Sequence, residues 1–91
     1  MSIKYTPAIL KKFEELFDEI GYTVRYEKGN FNSGYCIFQD KKIAVINKFL
    51  TIEGRINALI DILANIEVDT AELNKDVKLF YEQIMNNFHV K

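Results

Sequence analysis

The stretch Gly34–Ile66, GYCIFQDKKIAVINKFLTIEGRINALIDILANI, decides the fold of this chain. Two runs within it, Tyr35–Gln39 and Lys42–Ile46, are rich in β-branched and aromatic residues and are joined by the polar pair Asp40-Lys41. This pattern predicts two adjacent antiparallel strands connected by a tight turn. Because both faces of the hairpin are largely apolar, we expect it to occupy the centre of a sheet and to be covered on both sides.

The second half of the same stretch predicts a helix that packs on this hairpin. Thr51 suits the N-cap because its hydroxyl can accept a hydrogen bond from a backbone N–H of the first turn, and Glu53 suits the positive end of the helix dipole. The apolar positions recur every three or four residues, which is the spacing of one helical face. They are Ile52, Ile56, Leu59, Ile60, Leu63 and Ile66. We expect this face to lie against the sheet.

The residues before the hairpin predict a helix, a strand and a loop. Thr6 is suited to cap the first helix, with Pro7 at its first position, and Gly21 is suited to follow its last turn. Polar and apolar residues then alternate over Tyr22–Glu27, as in a half-buried strand, which we expect at an edge of the sheet. The segment Lys28–Gly34 combines glycine, asparagine and serine and predicts the one conspicuous loop.

The residues after these elements predict a final helix. Asp69 to Glu72 has capping-box spacing, with Asp69 as the cap and Glu72 reaching back to its backbone N–H. The apolar face that follows consists of Leu73, Val77, Phe80, Tyr81, Ile84 and Phe88. The predicted order is therefore α-β-β-β-α-α. We expect residues 1–91 to form a single α+β domain, in which helices pack on a three-stranded antiparallel sheet.

Composition narrows the functional classes. The chain has 91 residues, of which 48% are hydrophobic, and a formal net charge of −1. As a whole it therefore lacks the positive charge needed for strong non-specific binding to nucleic acid or to an anionic membrane. The first residues lack the pattern of a secretory leader, and polar side chains interrupt every apolar run before the roughly 18 residues that a membrane span needs. We expect a cytoplasmic protein without a membrane partner.

The sequence offers few groups for catalysis or metal binding. It has one cysteine, Cys36, and one histidine, His89, whereas a zinc site needs three or four Cys, His or carboxylate ligands. We interpret Cys36 as a small buried hydrophobic residue and His89 as a solvated residue at the end of the last helix. The carboxylate pairs fall on solvated helix faces or caps. The sequence thus predicts no catalytic residue, no metal ligand and no cofactor, and we expect that the chain is not an enzyme.

The run KKIAVINKFLTIEGRINALIDILA resembles the part of the ImmA/IrrE-type metallopeptidases in which a strand ending in Asn precedes a loop, an arginine and the zinc-binding HExxH helix. Asn47 and Arg55 agree with that pattern. Ile60 and Ala64 stand in place of the two histidine ligands, however, and Asp61 stands in place of the catalytic glutamate. The resemblance implies a peptidase-like architecture without the metal site. The longer pattern YEKGNFNSGYC, followed by a hairpin and INKF, is similar to small bacterial proteins with no assigned activity, which implies a bacterial cytoplasmic source.

Aromatic residues in and beside the loop are candidates for binding a partner. Phe31 is at the centre of the loop, with Tyr26 before it and Tyr35 after it. An aromatic side chain on a glycine-bounded loop can anchor a partner by filling a pocket. The alternative is that Phe31 folds back over the sheet as a lid.

Basic residues are concentrated in the same region. Residues 22–50 have a net charge of +3, and the rest of the chain has a net charge of −4. The basic residues are Arg25, Lys28, Lys41, Lys42 and Lys48. Beside aromatic rings, they suit contacts with single-stranded nucleic acid or another anion. The alternative is that lysines at turns and edge strands only discourage aggregation.

Three functional hypotheses follow. The first is a non-enzymatic domain that makes protein–protein contacts, including contacts with copies of itself, since a three-stranded sheet has two edges. The alternative is a weak nucleic-acid or anion-binding module that uses the five basic residues. The third is a degenerate peptidase-like domain without metal.

Overall fold

The structure, a computed structural model, describes residues 4–87. Along the chain these residues form α1 (Pro7–Glu19), β1 (Tyr22–Glu27), β2 (Gly34–Phe38), β3 (Lys41–Asn47), α2 (Ile52–Asn65) and α3 (Lys75–Asn87), with a short 3-10 turn at Thr70–Glu72. The predicted α+β class is confirmed, and the order differs from the predicted α-β-β-β-α-α by that turn. Within this part of the chain, no helix combines the length and the apolar character needed to cross a bilayer.

Helices α1 and α2 begin at the residues that the sequence predicts. Thr6 Oγ1 accepts a hydrogen bond from the backbone N–H of Ile9 at 3.2 Å, and Thr51 Oγ1 accepts one from Gly54 at 3.1 Å. After α1, Gly21 has a φ of +88°, a left-handed conformation that favours glycine. The helices that cover the sheet are therefore positioned by local hydrogen bonds and backbone preferences.

The start of α3 differs from the prediction. Asp69 caps only the 3-10 turn, where its Oδ1 accepts a hydrogen bond from the backbone N–H two residues later at 3.1 Å. Asn74 caps α3 instead, and its Oδ1 accepts a hydrogen bond from Val77 at 2.9 Å. Phe88 and His89, which we assigned to the apolar face and the end of this helix, lie outside the described residues.

The sheet is mixed, which corrects the predicted antiparallel arrangement. Its strand order is β1-β3-β2, with β3 parallel to β1 and antiparallel to β2. An all-antiparallel sheet would require β1 to pair with β2. Instead, the six-residue loop 28–33 carries the chain past β3, across the about 10 Å that separate non-adjacent strands. The continuous apolar run of β3 is buried best at the centre, and the predicted edge position of β1 is confirmed.

The hairpin turn lies one residue earlier than predicted. It consists of Gln39 and Asp40, not of Asp40 and Lys41, and both turn residues have positive φ, 50° and 68°. Two consecutive positive φ angles are the feature of a type I′ turn, whose twist matches that of the flanking strands. Lys41 is consequently the first residue of β3 and pairs with Phe38.

Helices α1 and α2 cover one face of the sheet, and α3 packs on α1. Ala44 and Ile46 of β3 are fully buried on this face, and the ring of Phe13 in α1 meets the ring of Phe80 in α3 edge-on, with centroids 5.0 Å apart. The other face, here called the open face, carries Thr23, Arg25, Gly34, Cys36, Phe38, Ile43 and Val45. No helix within residues 4–87 covers the open face, so the expectation that the hairpin is covered on both sides is wrong.

Candidate functional site: an apolar sheet edge

Four consecutive residues of β2 expose apolar side chains, which alternate between the two faces of the sheet. Tyr35, Ile37 and Phe38 are 44%, 61% and 63% exposed, and Cys36 between them is also exposed. We call these four residues the edge surface. The interpretation of Cys36 as a buried residue is wrong, because β2 occupies an outer position in the sheet and Cys36 points to the open face.

The backbone of β2 has a free side as well. Within the described part of the chain, β2 pairs only with β3, so the N–H and C=O groups on its other side have no strand partner. The opposite edge, β1, carries charge, since Arg25 forms an ion pair with Glu27 at 2.9 Å. Charged side chains protect an edge strand from unwanted pairing, whereas Gly34–Phe38 contains none. The two edges of the sheet are therefore chemically different, and β2 is the one suited to pairing.

Contacts on the helix-covered face position Tyr35 in the edge surface. Its hydroxyl donates a hydrogen bond to the backbone oxygen of Asn65 at 3.4 Å, near the end of α2. Its ring meets the ring of Tyr22 edge-on, with centroids 6.4 Å apart. Burial, and secondarily the proximity of Tyr35, raises the pKa of Tyr22. Tyr35 thus combines a fixed orientation with an exposed ring.

Phe31, the second aromatic candidate, lies in a loop that Asn47 holds in place. The side-chain amide of Asn47 donates hydrogen bonds to the backbone oxygens of Gly29 and Phe31, at 2.9 and 2.7 Å. The Phe31 ring lies so close to Gly29 that a Cβ there would be 2.9 Å from it. With Leu50 and Ala58 it lines a hollow between the loop and α2. The Phe31 ring therefore lies against Gly29 of its own loop and faces the hollow beside α2.

Tyr26, the third candidate, is half-buried between β1 and the helices α1 and α2. Its hydroxyl donates a hydrogen bond to Glu14 of α1, and the guanidinium carbon of Arg55 lies 5.3 Å from its ring centroid. Burial and the hydrogen bond to Glu14 raise the pKa of Tyr26. Because β1 and β2 are on opposite sides of β3, the structure does not bring Tyr26 together with Tyr35.

The five basic candidates fall into two groups. Arg25, Lys41 and Lys42 line an open hollow of about 490 Å³ beside the hairpin turn, together with Asp40. Lys42 also contacts the helix-covered side, where its Nζ lies 5.8 Å from the ring centroid of Tyr22. Lys28 and Lys48 follow the other ends of β1 and β3, roughly 20 Å from Lys42 along the strands. The structure therefore brings three of the five together.

Arg55 and Ile60, which lie in the run that resembles the peptidases, make structural contacts in this chain. Arg55 Nε donates a hydrogen bond to the backbone oxygen of Leu50 at 3.1 Å. Arg55 Nη2 donates another to the backbone oxygen of Lys48 at 2.8 Å. Ile60, at the position of a histidine ligand, is buried in the core. Among residues 4–87, no group of three or more His, Cys, Asp or Glu side chains is arranged to hold a metal ion.

Ile37 and Phe38, the most exposed members of the edge surface, are not among the residues that the sequence predicts to bind a partner. The available signal was the absence of charge over Gly34–Phe38, in contrast to the charged residues of the other two strands. That signal identifies an unprotected edge only once the strand order is known. The order depends on tertiary packing.

Comparisons of the chain with protein-family models, with curated proteins and with solved structures found no match. Function is therefore inferred from the geometry and chemistry of the edge surface and of the basic hollow.

Proposed function

We propose that this chain is a non-enzymatic protein-interaction domain, which binds another polypeptide by adding a strand to β2. The observation that supports the proposal is the uncharged strand Gly34–Phe38. Among residues 4–87 no strand pairs with one side of its backbone, and apolar side chains are exposed on both of its faces. Strand addition to such an edge gains main-chain hydrogen bonds, and the flanking side chains provide specificity.

The edge surface also has the composition of an interface. Tyrosine and phenylalanine contribute a large contact area with few rotatable bonds, and they are enriched where proteins bind each other. Leu79 on α3 is 51% exposed too, but it lies on a helix whose backbone groups are already paired. Leu79 therefore provides a matched control for exposure without a sheet edge.

Photocrosslinking in the cells that express the protein tests this proposal. With Phe38 replaced by p-benzoylphenylalanine, illumination should join the chain to a polypeptide bound at the edge surface. The same amino acid at position 79 should give far less product. Adding Ile37→Lys to the chain that carries the probe at position 38 should lower the yield at least about tenfold, because the new charge would be buried in the paired edge.

The identity of the crosslinked polypeptide follows from mass spectrometry. A protein adduct at position 38 that is stronger than at position 79 and sensitive to Ile37→Lys supports the proposal. The absence of any protein adduct at position 38, or equal yields at both positions, contradicts it.

A second candidate function is anion binding at the basic hollow. Arg25, Lys41 and Lys42 line this hollow, and an open groove with several cations suits phosphate groups of a single-stranded nucleic acid. Asp40 in the same hollow and the ion pair of Arg25 with Glu27 reduce the positive charge that an anion would meet. Binding at this position is consequently expected to be weak.

Fluorescence anisotropy with a labelled single-stranded oligonucleotide tests the second candidate. If three cations neutralise phosphates, an about threefold rise in salt concentration should weaken binding about tenfold. Lys41→Glu with Lys42→Glu should abolish binding. Lys28→Glu with Lys48→Glu is the matched control, because it makes the same charge change at the other end of the sheet. Binding that is insensitive to salt, or that both double variants weaken equally, argues against this site.

A further inference from the structure

We infer that the polypeptide that pairs with β2 is a second copy of this chain, bound antiparallel about a two-fold axis at Cys36. This inference rests on the proposed function and specifies its partner. In the resulting dimer, the two three-stranded sheets join into one sheet of six strands. The inference is carried by the self-complementarity of Gly34–Phe38 in both backbone and side chains.

The hydrogen bonds of β3 show to which side each residue of β2 points its backbone N–H and C=O groups. The N–H of Asn47 donates a hydrogen bond to Ser33 Oγ at 2.9 Å, whereas the N–H of Lys48 donates one to Glu27 in β1 at 2.8 Å. Odd-numbered residues of β3 therefore point their backbone groups at β2. Their partners are Gly34, Cys36 and Phe38, so these three residues point back to β3.

The remaining residues of β2, Tyr35 and Ile37, point their N–H and C=O groups outwards. A second strand must pair its own outward-pointing residues with these, because only such pairs exchange hydrogen bonds. In a symmetric antiparallel pair centred on Cys36, Tyr35 of one copy pairs with Ile37 of the other, and the reverse. In this register, all five residues of β2 in one copy pair with all five residues of β2 in the other.

The side chains match in the same register. Phe38 of one copy lies directly opposite Gly34 of the other, and both point to the open face. A Cβ built on Gly34 has no atom within 4 Å, so there is open space for the Phe38 ring of the second copy. An aromatic ring over a cross-strand glycine compensates for the missing side chain and stabilises a sheet. No charged residue lies in Gly34–Phe38, so the pairing brings no like charges together.

The size of the surface predicts a reversible dimer. Tyr35, Ile37 and Phe38 are about half exposed, and each offers roughly 100 Å² for burial. The total over two copies is well below the roughly 1,200 Å² at which stable complexes begin. We therefore expect the fraction of dimer to rise as the chain concentration increases from micromolar to millimolar.

Sedimentation equilibrium of the purified full chain measures this association. The average mass should rise towards twice the chain mass with concentration. Ile37→Lys should keep the average mass at the monomer value. Leu79→Lys makes the same change of charge at another exposed apolar residue and should leave dimerisation unchanged. Circular dichroism should show that both variants retain the fold, since both positions are exposed.

The natural cysteine reports the register. In the inferred dimer, the two Cys36 residues form a non-hydrogen-bonded pair with Cα atoms about 4.5 Å apart, within the range of disulfide geometry. Diamide should therefore convert the protein to a disulfide-linked dimer. The control is Cys36→Ser with Leu79→Cys, which keeps one exposed cysteine per chain. Cys36 should react at least about tenfold faster than this control, because pairing raises the local thiol concentration.

The outcomes separate the inference from the proposed function. A dimer that Ile37→Lys abolishes, with rapid crosslinking through Cys36, supports the inference. A monomer at millimolar concentration, or a dimer that Ile37→Lys leaves intact, overturns it. If photocrosslinking from position 38 captures only a different protein, the inference fails and the proposed function stands. If position 38 captures no protein, both fail.

Discussion

At the scale of single residues, Tyr26 links strand β1 to two helices. Its hydroxyl donates a hydrogen bond to Glu14 of α1, and Arg55 of α2 lies above its ring. Arg55 in turn donates hydrogen bonds to the backbone of the loop that precedes α2. Burial and the bond to Glu14 favour the neutral phenol and raise its pKa in the folded protein.

This raised pKa predicts a loss of stability at alkaline pH. Below about pH 10, the folded and unfolded chains both keep the Tyr26 proton. Above this pH the unfolded chain releases the proton first. The free energy of unfolding therefore falls as pH rises. The fall should be a fraction of the about 1.4 kcal/mol per pH unit of one retained proton, since Tyr26 is half-buried and solvent screens it. Tyr26→Phe should show a shallower decline in urea unfolding measured above pH 10.

Tyr5→Phe is the matched control for this prediction, because it also removes one phenol, from an exposed tyrosine near the start of the chain. The decline in the free energy of unfolding above pH 10 should be shallower in Tyr26→Phe than in Tyr5→Phe. If the free energy of unfolding declines equally with pH in Tyr26→Phe and in the wild type, Tyr26 is not the source of the decline.

At the scale of elements, the β2–β3 hairpin determines both the edge surface and the basic hollow. Gln39 and Asp40 form its turn in left-handed conformations, which glycine and asparagine adopt at lower cost than most residues. The turn position sets the register, and the register decides that Ile37 presents its backbone to the free side of β2.

Replacing the turn by Gln39→Asn with Asp40→Gly should therefore stabilise the protein. The expected gain in the free energy of unfolding is about 1 kcal/mol, because Asn-Gly is the preferred sequence of a type I′ turn. Urea unfolding measures this gain, and the m value should be the same as in the wild type. Lys41→Gly is the control and should destabilise by about 0.5–1 kcal/mol, since position 41 is in β3. A double variant that is less stable than the wild type would show that the turn is built differently.

At the scale of the whole molecule, the helices lie on one face of a sheet with two unlike edges. The charged pair of β1 protects one edge, and β2 leaves the other uncharged. Growth of the sheet at β2 occurs in its own plane and does not require the contacts between α1, α2 and the covered face to open. The inferred dimer therefore uses each chain in its folded form.

Part of the candidate site was visible in the sequence. Tyr35 was selected and lies in the edge surface, and three of the five basic residues lie around one hollow. The sequence predicts Cys36 in the core, because it lies within a strand between Tyr35 and Ile37 and a free cysteine in such a position is usually buried. Its exposure depends on the position of β2 in the sheet and on the uncovered open face, and neither feature has a local sequence signal.

The sequence by itself determined the α+β class, the hairpin and the starts of α1 and α2. Thr6 and Thr51 make their capping hydrogen bonds within three residues, and Gly21 acts through its own backbone, so these features need no tertiary contact. Only the tertiary structure decided the strand order. The same alternation of polar and apolar residues fits a meander and a mixed sheet, and a six-residue loop can span either connection. Burial of β3 at the centre selected the mixed sheet, and that choice left β2 as the unprotected edge.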